Sequence, residues 1–131
     1  EAIRAAGIIG ETRRDIGVLA VTSADRLNAG WTAAQRARSR GIDSAESHIE
    51  TLLKDLPRDC LLVTVIDGHP ATLAWLGGVA GLKTLPLGVE HFGQTGTILD
   101  LYRHYGIDAH SIAGKIGALT AGRQIAQGTV T

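Results

Sequence analysis

A chain of 131 residues with 13 basic and 13 acidic side chains, a formal net charge of zero and no run of one sign carries no electrostatic footprint for nucleic acid or a membrane surface. The length supplies one domain's worth of core and too little for two. A single cysteine, Cys60, excludes an internal disulfide framework, and no signal peptide or apolar run of about 20 residues is present, so the sequence reads as cytoplasmic.

The chain opens at Glu1, without a methionine and already inside a helical pattern, as an excised piece of a longer protein would. Residues 1–12 are alanine-rich, with Ala2, Ile3, Ala6 and Ile9 at helical spacing. Arg13 and Arg14 follow where the negative end of a helix dipole welcomes cations. Residues 16–22 form an uncharged run that predicts a buried strand. Thr22 or Ser23 can cap a helix from about Ala24, with Leu27, Trp31 and Ala34 on one face and Gly41 to stop it. Arg36, Arg38 and Arg40 read as a solvated face of that helix.

Ser47 and Glu50 have capping-box spacing for a third helix, whose apolar residues are Ile49, Leu52, Leu53 and Leu56. Residues 61–67 then give the one continuous apolar strand candidate, with Leu61, Leu62, Val63, Val65 and Ile66 expected to be buried on both faces of a parallel sheet at roughly 1.5–3 kcal/mol each. Asp67, Gly68, His69 and Pro70 make a polar turn into a helix through Leu76, with Gly77, Gly78 and Gly81 available to end it. Residues 84–89 predict a third strand, placed at an edge or a bulge by Pro86. Thr97 and Asp100 mark a helix start, Gly106 its stop, and Asp108 the cap of a last helix carrying Ile112, Ile116 and Leu119. The domain is thus expected over residues 1–122, with a tail over 123–131.

Strands alternating with helices imply right-handed crossovers and an α/β three-layer sandwich with a mostly parallel sheet. In such a sheet the turns after two strands share one edge, which brings Asp67 and His69 beside Glu90 and His91. Those four are the candidate site, and proton transfer, metal binding or a docking contact are all open to them, the contact being favoured because no H-x-x-x-H spacing supports a metal. The glycines at 88, 93 and 96 match neither G-x-G-x-x-G nor the P-loop pattern, so a tight turn outweighs a phosphate site. No serine sits in a G-x-S-x-G setting. Trp31 and Trp75 read as core or interface anchors, and His48, His104 and His110 as surface residues.

The order of these pieces resembles the C-terminal domain of transketolase-like thiamine-dependent enzymes. The features that carry the likeness are Val21, Thr22 and Ser23 ahead of a helix, the strand from Leu61 into a turn and helix, and Gly88 through Phe92 and Gly93 into the helix at Leu99. Among them the homodimeric pyruvate dehydrogenases, the decarboxylating first component of the 2-oxoacid dehydrogenase complex, are most similar. The chain departs from them at Glu90 and His91, where an aspartate is usual, and at Gln94 and Thr95. The resemblance implies a sheet whose first strand lies upstream of Glu1, and no catalytic, cofactor-binding or metal-ligating residue within the chain. Thiamine diphosphate and magnesium are held in such parents by two other domains through a G-D-G…N-N motif. Here Asp67-Gly68 lacks the preceding glycine and Asn28 is the sole asparagine. Implied partners are the remaining domains of the same chain, a homodimer mate and the lipoyl acyltransferase component, and the strand-end turns at Asp67, His69, Glu90 and His91 become an interdomain edge. The alternatives are the same domain of a transketolase, or a freestanding small-ligand or nucleotide-binding α/β domain.

Overall fold

A computed structural model describes residues 1–91, 93 and 96–128, the side chains of 122–128 excepted. In chain order the elements are α1 (Ala2–Gly10), α2 (Ala24–Ser39), α3 (His48–Leu53), β1 (Leu61–Val65), α4 (Ala71–Ala74), α5 (Leu76–Ala80), β2 (Lys83–Leu87), α6 (Ile98–Tyr105) and α7 (Ala109–Gly128). The mix is α/β, and β1 and β2 pair as a two-stranded sheet. Its sense is read from the bonds just past the strands: the Ile66 N–H donates to the Leu87 carbonyl at 3.2 Å and the Val89 N–H to the Gly68 carbonyl at 2.7 Å. Both chains advance together, so the pair is parallel, and α4 and α5 lie in the crossover that parallel neighbours require. No helix among the described residues is long and apolar enough to cross a membrane.

Two compact units divide the chain. The first gathers Glu1–Leu19, Val65–Pro70 and Pro86–Thr131. Within it α1 packs on α7, because Ala5 and Ile9, four apart, face the same way and are buried, as are Ala109 and Ile112. Small residues let the two backbones approach. The start of α7 is doubly satisfied: the Asp108 carboxylate accepts from the Ser111 N–H at 3.2 Å, and the Glu1 carboxylate accepts from the Ala109 N–H at 2.8 Å. Those bonds hold the Asp108 and Glu1 carboxyls below their ordinary values, the Ser111 side chain acting first on the one and the Ala109 amide first on the other. Arg13 is not a dipole partner of α1, which ends at Gly10; its guanidinium grips Asp15 through two bonds of 2.8 and 2.6 Å and donates to the Thr120 hydroxyl on α7. The α7 backbone continues to Gly128, past the expected stop near Leu119 and through the stretch expected to fray.

The second unit holds Ala20–Thr64 and Ala71–Leu85. Here α3 packs against both α2 and α5. Ile49 and Leu53 are buried with Ala34, Leu73, Leu76 and Leu82, while Leu52 and Leu56, expected on the same apolar face, are exposed. Trp31 and Trp75 stack with centroids 5.4 Å apart and planes at 27°. The helix expected from Pro70 through Leu76 is broken at Trp75 into α4 and α5, and the second piece runs through Gly77 and Gly78 to end at Gly81, whose φ of +65° is the left-handed cap only glycine adopts freely.

Two strand expectations change. Residues 16–22 are assigned to no strand, and Val18 and Leu19 stand 53% and 49% exposed. Glycine at 17 weakens any ladder there. The apolar ribbon from Leu61 is not buried on both faces either: Leu61, Leu62, Val63, Val65 and Ile66 are half-buried. The one buried residue of β1 is Thr64, whose Oγ1 has no hydrogen-bond partner. A buried hydroxyl left unmatched costs its desolvation with no return, and valine has the same shape without it. Thr64→Val is therefore expected to raise stability by about 1 kcal/mol in urea denaturation, and a loss instead would show that the hydroxyl is satisfied by bound water.

Candidate functional site at the strand ends

The turns that leave β1 and β2 lie side by side, all within the first unit. Gly88 sets their separation. A Cβ built on it would stand 2.3 Å from the Gly68 carbonyl oxygen, 3.0 Å from the Pro70 nitrogen and 3.1 Å from Ile66 Cγ2. Only a residue without a side chain lets the two backbones close to the 2.7 Å bond between the Val89 N–H and the Gly68 carbonyl. Asp67 and His69 lie on the turn after β1 and Glu90 and His91 follow β2, and all four are exposed.

A second tie fixes the far turn. The Tyr105 hydroxyl at the end of α6 donates to the His91 carbonyl, so the His91 backbone is anchored while its side chain meets solvent. His104 packs edge-on against Tyr105, ring centroids 4.8 Å apart at 88°. Local chemistry places α6 for this. The Thr97 hydroxyl accepts the Asp100 N–H at 3.2 Å to start the helix, and Gly106 at φ +68° stops it directly after Tyr105. Phe92, Gln94 and Thr95, on which a phosphate-binding turn would partly depend, lie outside the described residues.

Four exposed side chains on rigidly tied turns can make polar contacts with another surface. Among the described residues no group of three or more His, Cys, Asp or Glu is placed to hold a metal ion. Asp67 sits in an exposed turn after Ile66, and Asn28 lies within α2.

A polar cluster joins α2 and α3 in the second unit. Arg38, read as a solvated side chain, reaches Glu50 of α3 through bonds of 2.5 and 3.2 Å and donates to the Ala45 carbonyl at 2.6 Å. Glu50 also accepts from the Ser47 N–H at 2.7 Å, the return half of the capping box. An open cleft of about 560 Å³ lies here, lined by Arg38, Asp43, Glu46, Glu50, Lys54 and Val79 among others. Arg36 and Arg40 are exposed as read. The capping box was legible from the spacing of Ser47 and Glu50, whereas nothing in the spacing of Arg38 marks it as the carboxylate's partner.

The Arg38 guanidinium, followed by the Ser47 donors, pulls the Glu50 carboxyl from its ordinary 4.5 down to about 2. A depressed folded-state value means the ionised form supports the fold. Its contribution is complete above pH 4.5 and is lost as the pH falls through about 2. Urea midpoints measured from pH 5 to pH 2 are expected to fall less steeply for Glu50→Gln than for the parent chain; identical acid limbs would contradict the pairing.

Comparison with protein-family models, with curated proteins and with solved structures finds no match to this chain.

Proposed function

We propose that this chain is the non-catalytic C-terminal domain of a thiamine diphosphate-dependent 2-oxoacid dehydrogenase acting on pyruvate in the cytoplasm, and that its strand-end turns form the interdomain and dimer-packing edge of that enzyme. What supports the reading is the close backbone approach at Gly88, which ties the turns after β1 and β2, with Asp67, His69, Glu90 and His91 exposed on or beside those turns. Such a surface suits docking. In the same reading the fold is a three-layer sandwich with a mostly parallel sheet to which β1 and β2 belong.

Thiamine diphosphate and magnesium belong to the other domains of the parent, where the cofactor supplies the carbanion chemistry of decarboxylation. This chain's own residues contribute shape, tied turns and polar contacts. The lipoyl acyltransferase component is the partner of the whole assembly.

The test has two arms. Calorimetric titration of the 131-residue chain with thiamine diphosphate and magnesium is expected to show no saturable heat, and stoichiometric binding would overturn the assignment of the cofactor to other domains. In the parent polypeptide, the paired change Asp67→Lys and Glu90→Lys is expected to lower the dimer fraction in sedimentation at least tenfold while the melting of the chain alone stays within about 2 °C of wild type, since exposed substitutions rarely exceed about 0.5 kcal/mol. Unchanged dimerisation would remove the edge from the interface, and tight binding of a nucleotide by the chain alone would favour a freestanding binding domain instead.

A further inference from the structure

We draw no further inference here: the strongest candidate, the apolar surface patch on α6 where Ile98 and Leu99 stand 68% and 54% exposed and no residue of the helix is buried, is an unpartnered face, and nothing in the structure shows what covers it.

Discussion

Gly88→Ala is expected to destabilise the first unit by roughly 2–4 kcal/mol, among the largest effects a single methyl can have. The added carbon would stand 2.3 Å from the Gly68 carbonyl oxygen, and real contacts of that kind essentially never fall below 3.0 Å. Both nearest obstacles, that oxygen and the Pro70 nitrogen, are backbone atoms, so no side chain can swing aside. The turn itself has to move. Moving it breaks the bond between the Val89 N–H and the Gly68 carbonyl and separates the two halves of the candidate edge. The backbone angle is not at issue, because Gly88 is absent from the residues with positive φ. Denaturation midpoints together with hydrogen exchange at the Val89 amide read out both consequences. Gly7→Ala is the control: the space around it is open and it lies inside α1, so alanine there is expected to stabilise by about 0.5–1 kcal/mol. Equal effects at the two positions would show that close approach at Gly88 is not what holds the turns together.

Ile49→Ala is expected to cost the second unit about 2–5 kcal/mol. Ile49 is completely enclosed, at 0% exposure, on the helix that touches both α2 and α5. Truncation removes its transfer free energy and leaves a cavity that those elements cannot fully close. Against a domain stability of about 5–15 kcal/mol, that is a large share. Leu52→Ala, three residues on at an exposed position, is expected to change stability by well under half as much. If chemical denaturation gives the two variants the same midpoint, α3 does not centre this core.

What the sequence disclosed and what it withheld divide along the range of the interaction. Ser47 with Glu50, Thr97 with Asp100, and the glycines at 41, 81 and 106 act over three or four residues, and they mark the helix ends where the structure has them. The pairing of β1 with β2 followed from two apolar runs, expected at 61–67 and 84–89, separated by a helical crossover. The meeting of the turns after β1 and β2 followed in turn from parallel pairing. The unpaired stretch at 16–22 did not follow, because an apolar run carries no information about whether a partner strand is available to it. The break at Trp75 was hidden as well. Leucine and alanine on either side continue the helical pattern, and the stacking of Trp75 on Trp31 is a tertiary matter. Two features of the site lay beyond local pattern altogether: the close approach at Gly88, which needs the neighbouring turn to be known, and the anchoring of His91 by a hydroxyl 14 residues away. Arg38 and Glu50, 12 residues apart on different helices, belong to the same class.

The carboxylate of Glu1 meets the amide of Ala109 across a sequence separation of 108 residues, which makes the α1–α7 contact a clasp on almost the whole polypeptide. Closing a flexible ring of that size forfeits about 4 kcal/mol of chain entropy. The side chains that repay it, Ala5, Ile9, Ala109 and Ile112, do so only when the two helices are fully seated. A half-seated clasp would bear the entropic loss with little of the compensation, which favours the pairing of the first and last helices as one step.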